Sequence, residues 1–572
     1  MYFTLGISAA TRQACAALIG AATGTDPRVM PIPGPPVVAW QAPDGQAALV
    51  RWPSRRPSAN VADPRSHAGT IWADHAGVHA RTGVTRVDPV YLAEVPGAVV
   101  VSDRASWAAA VTGRLNEPDP VMVGAFLGFG YPVGAATPFR GVRALAGQRR
   151  LTAAGGRMVV APVRDDDTAP PPGRGAGEAL SKDPSAGPYG PVADALTDAV
   201  RPLGDLDVPV ELSLTGGKDS RLIAAALTAA KVPFRARTHG FADHPDVLVA
   251  GMIAGRLGVD HVTTEPRPAT PQQAPDEADV LARLRGAVLV SDGMLSAFEN
   301  VGRPDPQAAA EPVQTGGHGG ELLRGGYAPA AWSDRRFRGQ ARAWSEARGA
   351  ELFRRLVTRR LSLLRPAAAA EYLAGVAPFA AALSRGPLHA LDDFYLVNRA
   401  GRWSAAARQA YLIRSPLVQP FFGDRVVRAA RAVPLPDRIT DRLHRGVLAA
   451  LCPDLLDLPL AGSGWKSGPP VAPVRPAAGV GSAAGSDWRR AYGEQMARLL
   501  REYAMDLGDT GRMFDIVRRP AAERVLRPPQ EDSHAAWALA TLAALLSGDW
   551  LNARERSGQA AARNDNAGRM PG

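Results

Sequence analysis

Thr215, Gly216, Gly217, Lys218, Asp219 and Ser220 stand in a row between an apolar segment ending at Leu214 and an apolar segment starting at Leu222. Six residues thus combine two glycines, two hydroxyls, an ammonium and a carboxylate. Glycine permits positive φ and close backbone approach, and a new helix presents unpaired N–H groups and the positive end of its dipole. An anion can bind there. Thr215 and Ser220 add hydroxyl donors. Asp219 is at odds with a phosphate unless a cation lies between them, and Mg²⁺ suits both carboxylate and phosphate oxygens. The spacing is not that of a Walker A loop, because no glycine stands five residues before Gly217 and Lys218 is followed by Asp219. Nor does it match G-x-G-x-x-G. The competing reading is a Gly-Gly turn with Asp219 or Ser220 as a helix N-cap.

Such a turn needs a strand and a helix to present it. The segment "VPVELSL" reads as a strand, followed by a helix from about Ser220. "FRARTHG" is a second strand, and a helix from Asp246 to Leu257 ends at Gly258, the usual left-handed C-cap. "VDHVTTEP" continues the alternation. Strands separated by helices of this length imply right-handed crossovers and a parallel sheet. The turn then lies at the carboxyl end of its first strand, where α/β folds bind ligands. From about Ala330 onward helical segments dominate, including one beginning at His389.

The earlier part reads differently. "AALVRW", "GTIWADHAGVHARTG", "GAVVVSDRASW" and "RRLTAAGGRMVVAPV" are short strands with turns, and "DPVMVGAFLGFG" between them is helical. Residues 161–190 are rich in Pro, Gly and charge with too few apolar residues to pack. We therefore expect a first domain over 1–160, a linker over 161–190, a second domain over 191–555 and a frayed tail over 556–572.

At 572 residues the chain exceeds one ordinary hydrophobic core, and 46% hydrophobic residues supply ample burial. No run of about 18 uncharged apolar residues appears, as a membrane span would need, and the N-terminus lacks a signal-like pattern. The expectation is a soluble cytoplasmic protein with no membrane partner. Cys15 and Cys452 are the only cysteines, which excludes a disulfide framework, a Cys-rich zinc site and a thiol relay. The net charge of +11 is spread over the whole chain without a basic tract interleaved with aromatics, so no nucleic-acid partner is expected.

The six-residue turn resembles the S-G-G-x-D-S pyrophosphate loop of N-type ATP pyrophosphatases, and further motifs follow in the order of the asparagine synthetase family. "THGFADHPDVLVAGMIAGRLGVDH" is similar to its second strand and helix, "TGGHGGELLRGGY" (Thr315 to Tyr327) to S-G-x-G-x-D-E-x-F-G-G-Y with one extra residue, and "DDFYLVNR" to its supporting helices. "SGWKSG" (Ser463 to Gly468) falls where the family keeps an essential lysine. The resemblance implies a Rossmann-like parallel-sheet ATP pyrophosphatase domain (adenine nucleotide alpha hydrolase-like) with many helices. It also implies ATP contacts at Leu214, Thr215, Gly216, Gly217, Asp219, Ser220, Thr315 and Gly316, adenine near His239 and Gly240, and Mg²⁺ at Asp219. The family's second metal-binding acid corresponds to Gly320. Either the neighbouring Glu321 reaches the metal, or the metal relies on Asp219, phosphates and water. Lys466 is the catalytic lysine on this reading, since an ammonium can approach charge developing on the α-phosphate and on a later tetrahedral species. Asp393 is a candidate base or orienting group for the attacking ammonium, against the alternative of a solvated helix-face acid. His318 reads as a hydrogen-bonded loop histidine.

The first part, with "GVHARTGVTRVDPVYLAEV" and "TPFRGVRALAGQRRLTAAGG", is similar to the N-terminal-nucleophile (Ntn) glutaminase domain of that family, an αββα sandwich. That chemistry needs a cysteine after Met1 whose own amine acts as base. Position 2 is Tyr2, and Cys15 lies too far inside the chain. The resemblance therefore implies lost glutamine hydrolysis and a nitrogen nucleophile that arrives with the substrate. Two relatives share this loss: lasso peptide cyclases, which adenylate an Asp or Glu side chain of a core peptide and close it with the N-terminal amine, and β-lactam synthetases. The first is most similar, and implies a precursor peptide, a leader peptidase and a leader-binding protein as partners. A small-molecule amide ligase and a degenerate peptide- or nucleotide-binding scaffold are the alternatives. A tRNA-modifying pyrophosphatase would usually need catalytic thiols for sulfur transfer.

Overall fold

The computed structural model describes residues 2–3, 37–41, 47–51, 70–74, 77–95, 98–154, 157–163, 188–206, 208–265, 277–299, 312–332, 340–383, 386–412, 417–462, 464–475, 493–528, 530, 532–548 and 550. Cys15, Ser463, most of the expected linker and the tail lie outside the described residues. The strands of the first part are β1 (Tyr2–Phe3), β2 (Val37–Gln41), β3 (Ala47–Arg51), β4 (Thr70–Asp74), β5 (Gly77–Arg81), β6 (Tyr91–Val95), β7 (Ala98–Ser102), β8 (Val142–Ala144), β9 (Arg149–Ala154) and β10 (Arg157–Pro162). They form two sheets, ordered β1-β3-β2-β7-β6-β8 and β10-β9-β5-β4, with antiparallel pairing throughout.

Alternation along β6 and β7 decides how these sheets stack. Leu92, Val99 and Val101 join Ile71, Val78, Ala80 and Leu151 of the other sheet in one buried cluster. Tyr91, Ala93 and Val100 point the opposite way, into a cluster with α1 (Ala105–Val111) and α2 (Pro120–Phe129). The period of two thus gives an α–β–β order of layers. The outer helical layer expected beyond the second sheet falls outside the described residues. Asp119 caps α2 by accepting from Val121 N (2.8 Å) and Met122 N (3.4 Å), Pro120 opens it, and Gly130 closes it at φ 86°.

The second part begins with α3 (Gly190–Val200). Strands β11 (Val210–Ser213), β12 (Arg235–His239), β13 (His261–Thr264), β14 (Val313–Gly316) and β15 (Leu417–Val418) make a parallel sheet in the order β13-β12-β11-β14-β15. Helices α4 (Lys218–Ala229) and α5 (Pro245–Leu257) are crossovers of this sheet, and Gly258 closes α5 at φ 66°. Leu222, Ile223 and Leu227 of α4 are wholly buried, and each contributes roughly 1.5–3 kcal/mol by leaving water. From β11 the chain moves outward on one side and returns on the other, so the order reverses between β11 and β14. That switch point opens a crevice at the carboxyl ends of both strands.

Helices fill the remainder: α6 (Glu277–Ser291), α7 (Gln340–Thr358), α8 (Pro366–Leu383), α9 (Pro387–Phe394), α10 (Ala405–Leu412), α11 (Asp424–Ala432), α12 (Leu435–Ile439), α13 (Arg442–Leu451), α14 (Gly493–Thr510) and α15 (Ser533–Leu546). The helix expected from His389 is interrupted. Between α9 and α10, Tyr395–Ser404 winds as a π-helix. Within it the Val397 carbonyl accepts from Arg86 Nη2 at 2.8 Å, and Gly401 leaves room for the same arginine, whose Nε lies 2.8 Å from where a Cβ would be. Helix α8 is long and apolar enough to cross a membrane by length and composition, with mean hydropathy 1.2. It carries Glu371, paired with Arg140 at 3.0 Å, and it lies on α2, where Gly124 meets the Tyr372 ring and Gly375 meets Val121.

The two parts share a core. Met122, Val123, Phe126 and Leu127 of α2 belong to the same buried cluster as Phe353 of α7, Tyr372 of α8, Leu500 of α14 and Trp537 of α15. The boundary near residue 160 is therefore a break in sequence pattern that packing crosses.

Candidate active site

At the end of β11 the chain turns through Thr215, Gly216 and Gly217 into α4, whose N-cap Gly217 brings no side-chain acceptor. Neither Asp219 nor Ser220 caps the helix. Ser220 Oγ instead lies 3.1 Å from Thr215 N and 3.1 Å from Thr215 Oγ1. The first N–H groups of α4 are left for an external acceptor. Gly216 N donates to Asp246 Oδ1 at 2.9 Å, which ties this turn to α5.

The second loop follows β14. Register pairs Ser213 with Gly316, so both loops leave the sheet side by side. A Cβ on Gly317 would stand 2.4 Å from Ser220 N, and one on Gly320 would stand 2.2 Å from Asp219 Cγ. Glycine at 317 lets two backbones touch, and glycine at 320 makes room for the Asp219 side chain. Thr315 is buried at the base, and its Oγ1 lacks a hydrogen-bond partner.

A third segment brings Lys466. Ala461 N donates to Gly216 O at 3.0 Å, and a Cβ on Gly216 would meet Ala461 Cβ at 2.6 Å. Lys466 donates its backbone N–H to Asp441 Oδ2 at 3.1 Å, while its Nζ reaches Ile439 O at 3.1 Å. Lys218 Nζ lies 2.5 Å from the same Asp441 Oδ2. Asp441 is fully buried and left-handed at φ 64°. Lys218 and Arg445 both lie over the Trp465 ring, at 5.4 and 5.5 Å from its centre. One buried acid thus organises the glycine turn and the lysine loop.

Asp219 carries two partners, Arg324 Nη2 at 2.6 Å and His444 Nε2 at 3.0 Å. Burial pushes its carboxyl up, but His444 and Arg324 outweigh this and hold it below the usual value. His318 Nε2 is 3.2 Å from Ser404 Oγ on the π-helical segment, as a hydrogen-bonded loop histidine should be. Desolvation, followed by the charge of Arg399, pushes His318 down to about 4. Arg399 itself lies over Trp403, its Cζ 3.5 Å from the ring centre.

The expected residues divide accordingly. Leu214, Thr215, Gly216, Gly217, Asp219, Ser220, Thr315 and Gly316 converge on the crevice, and Lys466 is linked to them through Asp441. His239 is exposed at the end of β12, and Gly240 N donates to Thr264 O at 3.0 Å. Asp393 is exposed and pairs with Arg431 of α11. Its neighbour Asp392 is the buried acid, held by Arg431 and Arg438. Glu321 and Asp219 do not form a donor pair. Glu321 is 45% exposed and 3.8 Å from Arg324, the same guanidinium that contacts Asp219. Asp246, Arg324, Asp441 and His444 escaped the sequence reading. The one signal was Arg324, the extra residue before the final glycines.

This arrangement fits a polyphosphate. Besides Thr315 Oγ1, the buried donors Arg324 Nε, Arg445 Nη1 and Trp465 Nε1 lack partners, and all four adjoin the loops just described. It fits a protein-held divalent ion poorly. Both Asp219 oxygens are engaged by cationic or ring N–H groups, and among the described residues no trio of His, Cys, Asp or Glu converges on a metal position.

A family model described as asparagine synthase matches residues 191–547. No curated protein matches the chain.

Proposed function

The chain belongs to the asparagine synthase family, whose members are ATP-dependent amide-forming ligases, and on that premise we propose that it is a lasso peptide macrocyclase. The observation that carries the ligase reading is Asp441 joining Lys218 of the glycine turn to Lys466. In the proposed reaction a side-chain carboxylate oxygen of Asp or Glu in a core peptide attacks the α-phosphorus of ATP. The bond from that phosphorus to the bridging oxygen breaks, and pyrophosphate leaves with the electron pair. The peptide's own N-terminal amine then attacks the acyl carbon, loses a proton, and expels AMP as the isopeptide bond forms. The α4 N–H groups and Lys218 bind phosphate, and Lys466 turns from Ile439 O toward charge developing on the α-phosphate and on the acyl oxygen. Magnesium accompanies ATP as a counter-ion of its phosphates.

The proposal takes the nucleophile to be carried by the substrate, and the α–β–β layers of the first part agree with an Ntn-like sandwich. A precursor peptide, a leader peptidase and a leader-binding protein are the proposed partners, in a cytoplasmic setting. A β-lactam synthetase-like or other small-molecule ligase is the second reading, and Gly320 in place of an acid favours a scaffold as the third. Intact-mass analysis of a leaderless core peptide with protein, ATP and Mg²⁺, with AMP followed in parallel, separates them. Loss of one water with AMP release and carboxypeptidase resistance is expected. AMP only with a small amino-acid acceptor selects the second reading, and no AMP with any acceptor selects the scaffold.

A further inference from the structure

The groups around Asp219 suit an anion better than a metal. Lys218, Arg324, Arg445 and Lys466 bring four cations to the loops of the crevice, balanced by the carboxylates of Asp219, Asp246, Glu321 and Asp441. Both Asp219 oxygens are already engaged by His444 and Arg324, whereas the buried donors Arg324 Nε, Arg445 Nη1 and Trp465 Nε1 have no partner and suit phosphate oxygens. Space points the same way. The Asp219 side chain fills the place that a second acid at Gly320 would need, with its Oδ1 only 2.4 Å from where the Cβ would begin. Arg324 contacts Asp219 at 2.6 Å and Glu321 at 3.8 Å, so it occupies the region that two metal-binding acids would share. One of its donors is engaged by Asp219, its Nε is buried without a partner, and the side chain keeps 29% exposure.

We propose that Arg324 takes the place of a protein-held divalent ion at Asp219, and that its guanidinium is the cation presented to the pyrophosphate portion of ATP. Asp219 and His444 position it. Guanidinium donors in a fixed fork match phosphate oxygens, and they give up water far more readily than Mg²⁺ does. As the bond from the α-phosphorus to the bridging oxygen breaks, the pair of electrons arriving on pyrophosphate is met by a charge the chain supplies itself. The inference rests on the ATP reading given above.

The test is calorimetric binding of α,β-methylene-ATP to the full chain in EDTA and in excess Mg²⁺, for the native protein, Arg324→Ala and Arg324→Lys. Native affinity should change less than about threefold between the two conditions. Arg324→Ala should lose about tenfold or more in EDTA, the size expected for charged hydrogen bonds, and Arg324→Lys, which keeps the charge without the fork, should recover only part of that loss. Native binding that requires Mg²⁺ overturns the inference and leaves the ATP reading standing. Metal-insensitive binding that Arg324→Ala leaves unchanged also overturns it, because the cation is then another residue. Absence of binding in both conditions overturns the ATP reading and the inference with it.

Discussion

Gly320 and Asp219 occupy one another's space: a Cβ on the glycine would lie 2.2 Å from the Asp219 Cγ, although 101 positions separate them in the chain. The acid of the first loop packs against the bare backbone of the second. Restoring the family's aspartate is therefore not a conservative repair here. Gly320→Asp should lower stability by about 1–3 kcal/mol through overpacking, with further loss from two facing carboxylates. Urea unfolding, with an unchanged slope and a lower midpoint, is the check.

Lys466 is anchored through its backbone to Asp441, while its ammonium rests on a carbonyl. Lys466→Ala should leave the circular dichroism unchanged and lower pyrophosphate release at least about 10²–10³-fold, as expected for a lost partner of transition-state charge. Turnover within threefold of native would move the catalytic ammonium elsewhere, Lys218 being the next choice.

Asp392 and Asp393 are adjacent and should behave oppositely. Asp392 is buried between Arg431 and Arg438, so Asp392→Ala leaves Arg438 uncompensated and should cost about 3–5 kcal/mol. Asp393 is an exposed partner of Arg431, and Asp393→Ala should cost no more than about 1 kcal/mol. If Asp393→Ala also keeps the native dependence of ring closure on pH, a role as base for the attacking amine is ruled out.

His318 carries a pH signature. Its folded value of about 4 lies below the usual histidine value, so the folded state favours the neutral ring. Its contribution to stability is complete above about pH 6.5 and is lost as pH falls toward 4, because the unfolded chain takes up the proton first. Asp219 is also lowered, but its loss begins only below about pH 4. His318→Gln should therefore flatten the decline in urea midpoint between pH 6.5 and 4.5. A slope equal to the native one would assign that window to other groups.

The glycine turn, the parallel strands beside it and the C-cap at Gly258 were legible because each rests on neighbours in sequence: apolar periodicity, glycine at a turn, and spacing. The partners of Asp219 were not, since Arg324 lies 105 residues and His444 225 residues further on. Nothing local marks either as facing a carboxylate. Asp441 was equally hidden, a left-handed aspartate whose value lies in two lysines brought from different loops. The π-helical stretch was read as an ordinary helix for the same reason. Its altered winding coincides with Arg86, a residue of the first part, donating to Val397 O. Asp393 was singled out in the stretch "DDFYLVNR" as a candidate base or orienting group, and only packing shows that its neighbour Asp392 is the buried acid.

The core shared by α2 with α7, α8, α14 and α15 bears on how this chain can evolve. A part joined to its neighbour by a linker alone could be trimmed. Here excision of the first 160 residues would strip Phe126, Leu127 and their neighbours from the helices they cover and open an oily surface to water. It would also remove Arg86, which holds the π-helical stretch beside the crevice. The first part thereby serves as a wall of the second, and keeping it is a matter of solubility and alignment.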